Sequence, residues 1–217
     1  MDPLRMIIAM VPLAAYLLLL GVINLRGRPV MMNGAYDNLL LGFGLAGLAM
    51  VGPIELLMLS ESTAFRFGGY AWVMLIILYS LVVMLLVMFG KPRLTVYNVS
   101  FEQLRPVLVD VIDRLDDQAR WTGETVFLPN RGVHFYVDRH RRLHNVQIIA
   151  LGSYQNFESW HLLEKELRLA LRDSVAASRP MGIAFIFIAL AMFAVTLAKF
   201  FHESGEIAQS FNEMLRR

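Results

Sequence analysis

Four runs of apolar residues, each about the length of the roughly 20 residues a helix needs to cross a bilayer, constrain this chain more than any other feature. They cover approximately residues 6–25, 39–59, 70–90 and 181–201. A total of 57% hydrophobic and 18% charged residues, against roughly 25% charged in ordinary soluble domains, points the same way. The expectation is an α-helical integral membrane protein with four transmembrane helices and one soluble insert between the third and fourth. Residues 1–91 then hold three helices, 92–178 an α+β domain, 179–201 the fourth helix and 202–217 an amphipathic tail.

The flanks of these runs carry boundary signals. Asp37 and Asn38 can cap the second helix, and Tyr70 and Trp72 suit an aromatic belt at the membrane surface. Lys91 and Pro92 close the third run, and Arg179 and Pro180 open the fourth. The first run is too long for a signal-peptide core and lacks an A-x-A site, so it reads as a retained helix. Arg26, Arg28, Lys91, Arg93, Arg105, Arg168, Arg172 and Arg179 fall on one side of such a topology. Arg5, Arg66, Lys199, Arg216 and Arg217 fall on the other. Positive charge concentrates on the cytoplasmic side of membrane proteins. The insert is therefore expected in the cytoplasm of a cell with this plasma or inner membrane, with both termini outside.

The insert has the pattern of a small sandwich. "RLTVYNV" is strand-like, and Ser100 with Gln103 has the form of a capping box. Leu104, Val107, Leu108, Val111, Ile112 and Leu115 repeat at helical spacing, although Pro106 suggests a start near itself or a kink. "TVFL", "GVHFYVD" and "NVQIIALG" follow as strands, with "LPNRG" as a turn. Asn156 can cap a last helix whose stripe is Phe157, Trp160, Leu163, Leu167, Ala170 and Leu171. The predicted order is β-α-β-β-β-α, with helices on one face of a mainly antiparallel sheet.

The absence of cysteine excludes thiol nucleophiles, disulfides and thiolate metal sites. A net charge of +2 without long basic blocks argues against nucleic acid as a partner. The second run contains Gly42, Gly44 and Gly47 in the spacing G-x-G-x-x-G. A dinucleotide fingerprint must follow a strand and open a helix within a βαβ unit, and this one lies in an apolar run. Helix packing is the better account. Gly42, Ala46 and Ala49 line one face and Gly44 and Gly47 thin its neighbour, which allows backbones to approach closely in lipid. The packing partner can be another helix of this chain or of a second copy.

Pro53 follows Gly52 and predicts a kink, and Glu55 comes directly after it. An acid within an apolar span is costly to insert and is a candidate proton or cation site. Its alternative role is structural, with Lys199 a possible partner. The densest polar cluster is the expected hairpin tip Arg139, His140, Arg141, Arg142 and His144, which suits anionic lipid headgroups. His134, Asp138, His140 and His144 lack the spacing that would aim them at one metal ion. "HESGE" (202–206) lacks the second histidine of a zinc-protease motif. No metal, no cofactor and no catalytic constellation is therefore expected. The predicted function is a non-enzymatic scaffold, assembly or regulatory component. Its domain would bind a protein partner or a second copy, and membrane lipid would surround its helices. The alternative is a small transporter or channel component that uses Glu55.

Overall fold

The computed structural model describes residues 3–54, 70–140, 145–152, 155–172, 180–202 and 205. In chain order they form helix α1 (Pro3–Leu25), strand β1 (Val30–Asn33), helix α2 (Gly34–Ala49) continued by a π-helical turn (Met50–Ile54), and helix α3 (Tyr70–Phe89). Strand β2 (Arg93–Tyr97), helix α4 (Phe101–Leu115), strands β3 (Arg120–Thr122) and β4 (Thr125–Leu128) and a 3-10 turn (Pro129–Arg131) come next. Strands β5 (Val133–His140) and β6 (Asn145–Ala150), helix α5 (Phe157–Arg172) and helix α6 (Pro180–His202) complete the order. The chain divides into two compact units. One comprises Met1–Val22, Asn38–Phe89 and Met181–Arg217, the other Ile23–Asp37 and Gly90–Pro180.

Among the described residues, four helices are long and apolar enough to cross a membrane: Pro3–Leu25, Gly34–Gly52, Trp72–Phe89 and Met181–His202. Two aliphatic hydroxyls inside them are satisfied by their own helix. Ser80 Oγ donates to the Ile76 carbonyl at 2.8 Å, and Thr196 Oγ1 donates to the Met192 carbonyl at 2.8 Å. The second of these helices differs at its start from the expected span of 39–59. It starts five residues earlier because Asn33, not Asp37 or Asn38, caps it: the Asn33 Oδ1 accepts the N–H of Ala35 at 3.0 Å. Its regular geometry is interrupted within the expected span. Gly52 has non-helical angles (φ −97°, ψ −106°), so the axis breaks at Gly52–Pro53, as expected where proline removes a donor and crowds the preceding turn. Residues 55–59 lie outside the described residues.

The second unit contains a six-stranded antiparallel sheet in the order β1-β2-β6-β5-β4-β3. Two of its strands are additional to the predicted order. β3 is three residues long and β1 is four, too short for alternation to register in the sequence. β1 comes from the loop after α1 and pairs with β2 (Val30↔Tyr97 through Asn33↔Leu94), so the unit includes a segment outside 92–178.

One face of the sheet carries the core. Leu94, Val96, Val126, Leu128, Val133, Phe135, Val137, Val146, Ile148 and Ala150 are buried there. Against them pack Leu104, Leu108, Val111 and Ile112 of α4 and Trp160, Leu163, Leu167 and Leu171 of α5. Phe135 meets the edge of Trp160 with ring centroids 6.3 Å apart. Each of the buried Val, Leu, Ile and Phe side chains contributes about 1.5–3 kcal/mol. The capping box sets the start of α4: Ser100 Oγ accepts the Gln103 N–H at 3.3 Å and Gln103 Oε1 accepts the Ser100 N–H at 3.1 Å. The helix therefore starts at Phe101 and runs through Pro106, rather than starting near that proline. Asn156 caps α5 by accepting the N–H of Ser159 at 3.2 Å.

Candidate functional site

In the helical unit the small residues of α2 stand against two different helices. A Cβ on Gly42 would come within 2.8 Å of Val83 Cγ1 of α3, closer than real Cβ atoms approach. The Tyr79 hydroxyl of the same helix donates to the Gly42 carbonyl at 2.6 Å. Gly44 faces α1 instead, where a Cβ would lie 2.7 Å from Tyr16 Cβ, and one on Gly47 would overlap the Ile8 carbonyl. Ala46 lines an apolar groove of about 420 Å³ with Ile8, Pro12, Ile76, Tyr79 and Val83 among its walls. Ala49 is half-buried in the last turn of α2. The helices that these glycines meet belong to this chain. Pro53 sits in the π-helical turn, and Glu55 lies outside the described residues.

In the α+β unit the expected hairpin tip is reached only in part. Arg139 and His140 end β5, paired with Val146 and Asn145 of β6, while Arg141, Arg142 and His144 lie outside the described residues. The His134 ring meets Phe127 edge-on at 5.5 Å. The backbone of His134 is clamped by Gln155, whose Oε1 accepts its N–H at 3.2 Å and whose Nε2 donates to its carbonyl at 2.8 Å. Among the described residues no three His, Asp or Glu side chains gather where they could hold a metal ion.

The remaining polar side chains mostly brace the fold. Asp116, 3% exposed, accepts the N–H of Gln118 at 3.0 Å, the N–H of Asn130 at 2.9 Å and the Asn130 Nδ2 at 2.8 Å. Its carboxylate is thus saturated by the turn that it organises. Asn98 is buried in the left-handed region at φ 63°, and its Nδ2 donates to the carbonyls of Ile23 and Arg26, the second at 3.0 Å. Asparagine tolerates that backbone conformation better than most residues. Asp37 accepts the Tyr97 hydroxyl at 2.7 Å and pairs with the Arg93 guanidinium at 3.3 Å. These partners are distant in sequence, and no spacing rule could have joined them.

Two surfaces remain in this unit. The sheet face opposite the core carries Thr125, Tyr136 and Ile149 in one cross-strand row and Phe127 beside His134 in the next. All five are half-buried or exposed, Phe127 at 42%. The second is a pocket of about 600 Å³ lined by Arg26, Gly27, Arg28, Pro29, Val30 and Arg172. Sequence reasoning used these arginines only to orient the chain. Their convergence depends on β1 joining the sheet. No family model, no curated protein and no solved structure matches this chain.

Proposed function

We propose that this chain is a multi-pass protein of a plasma or inner membrane and a non-enzymatic assembly or regulatory component, with its α+β unit binding a protein partner in the cytoplasm. The observation that carries this reading is the sheet face on which Phe127 is exposed and His134, Tyr136 and Ile149 are half-buried, opposite a face that is fully packed. Accessible aromatic and aliphatic groups side by side are what the core of a protein interface is made of. The saturated carboxylate of Asp116 and the clamping role of Gln155 support a structural use of the unit's polar groups. The orientation is supported by Arg26 and Arg28 sharing a unit with Lys91, Arg93, Arg105 and Arg172. The test is crosslinking in native membranes. Full-length Phe127→Ser with Tyr136→Ser should lose the captured partner while keeping the Trp160 fluorescence of a folded core. Capture unchanged by these substitutions sinks the reading.

The break at Gly52–Pro53 favours a second reading, a small transporter or channel component. Discontinuous helices are where transporters place ion sites, and Glu55 follows that break within three residues of Gly52. Glu55→Gln should then abolish a proton- or cation-coupled flux in reconstituted vesicles. Flux equal to that of the unaltered protein removes this reading.

A further inference from the structure

We propose that the pocket between the α1–β1 turn and the end of α5 holds the phosphate of an anionic lipid headgroup. Arg26, Arg28 and Arg172 line it, and among the described residues no carboxylate does. Among the described residues, none of these three guanidinium groups forms an ion pair; Asp173, next in the chain, lies outside them. Three like charges around one concavity repel each other, and an anion among them relieves that repulsion. A guanidinium offers a fork of donors that matches phosphate oxygens. At about 600 Å³ the pocket is in the range of ordinary ligand sites and admits a diester headgroup.

The site is held in shape at both ends of its turn. On one side Asn98 Nδ2 bonds the carbonyls of Ile23 and Arg26, and the Arg26 N–H bonds the Ile23 carbonyl at 3.3 Å. On the other, Val30 begins the ladder to β2 opposite Tyr97. Gly27 presents no side chain to obstruct entry. Arg172 closes the pocket from the last turn of α5. The choice of lipid over free phosphate comes from the chain itself. Arg26 immediately follows α1, a helix long and apolar enough to span a membrane, so its guanidinium belongs at headgroup depth if α1 spans. Juxtamembrane basic clusters recognise anionic lipids in this way. The inference rests on the membrane reading proposed above.

The experiment uses the full-length protein in detergent micelles, titrated with phosphatidylglycerol or phosphatidylcholine and observed by native mass spectrometry. The unaltered protein should retain phosphatidylglycerol in preference to phosphatidylcholine. Arg28→Gln or Arg172→Gln should each weaken that retention about fivefold, and the triple change with Arg26→Gln should erase the preference. All three side chains are exposed, and an unchanged size-exclusion profile shows that the variants are folded. Arg105→Gln, an exposed arginine on α4, should leave retention unchanged. Absence of any preference in the unaltered protein overturns the proposal, as does an equal loss in Arg105→Gln. Inorganic phosphate bound as tightly as the lipid overturns the lipid assignment. Release of the protein from membranes by alkaline carbonate would sink the membrane reading itself. A retained protein that is indifferent to phosphatidylglycerol sinks only this site.

Discussion

Leu86 of α3 and Leu108 of α4 are the same side chain in opposite surroundings, the first 63% exposed and the second fully buried. The contrast extends to the whole of each helix. In the apolar window of α3 only 6% of the residues are buried, and Met74, Leu81, Leu85, Met88 and Phe89 are all exposed around its circumference. In α4 the apolar residues form one stripe, and that stripe closes onto the sheet. Water drives the second arrangement, because apolar area removed from it stabilises the fold. It cannot drive the first, since a helix apolar all round has no preferred face. Such helices need an apolar solvent, and their mutual packing then depends on close backbone approach rather than burial. The small residues follow this division. Gly42, Gly44 and Gly47 each stand where a Cβ would crowd a neighbouring helix.

The largest expected effect separates the two settings directly. Phe135→Ala should destabilise the α+β unit by about 3–5 kcal/mol, read as a lowered denaturation midpoint through Trp160, whose ring it touches. Leu86→Ala in the same measurement should change stability by less than about 0.5 kcal/mol, as substitutions away from packed sites do. Equal losses would break the contrast. Next comes Gly47→Ala, where the new methyl meets the Ile8 backbone; an overpacking cost of about 1–3 kcal/mol is expected in the helical unit. The check is thermal aggregation in detergent, and a midpoint matching the unaltered protein's would show that α1 and α2 do not pack as closely as the structure has them. The smallest is Ser100→Ala, which removes the side-chain half of the capping box and should cost about 1 kcal/mol by chemical denaturation. A null effect there would mean that tertiary packing alone fixes the start of α4.

Much of the α+β unit was legible because its patterns are long or chemically specific. Val133, Phe135 and Val137 alternate over a strand of eight residues, and the core face is theirs. Ser100 and Gln103 announced the start of α4, and this cap prevailed over the warning given by Pro106. Asn156 likewise announced α5. The failures have equally physical causes. β1 is four residues in a loop, and only the exposed edge of β2 gives "VMMN" a reason to be extended. Asp37 was expected to cap α2, yet it sits within the first turn, bound to Arg93 and Tyr97, because Asn33 had taken the capping role. Of the candidate sites, the glycine faces could be read as surfaces for close packing. Their partners could not, since spacing within one helix says nothing about which helix lies opposite. The arginine pocket was invisible for the same reason. Arg28 and Arg172 are remote in sequence, and each alone is an ordinary surface charge.

The four apolar helices and most of the sandwich pattern can be read along the chain, because length, composition and periodicity act locally and a bilayer or a core selects for them directly. Folding adds that the loop after α1 joins the sheet and that α2 turns Gly42 to α3 and Gly44 and Gly47 to α1. It also brings three dispersed arginines to one pocket. Each of these depends on a meeting between distant segments, where the free energy comes from complementarity of two surfaces and neither carries the information alone.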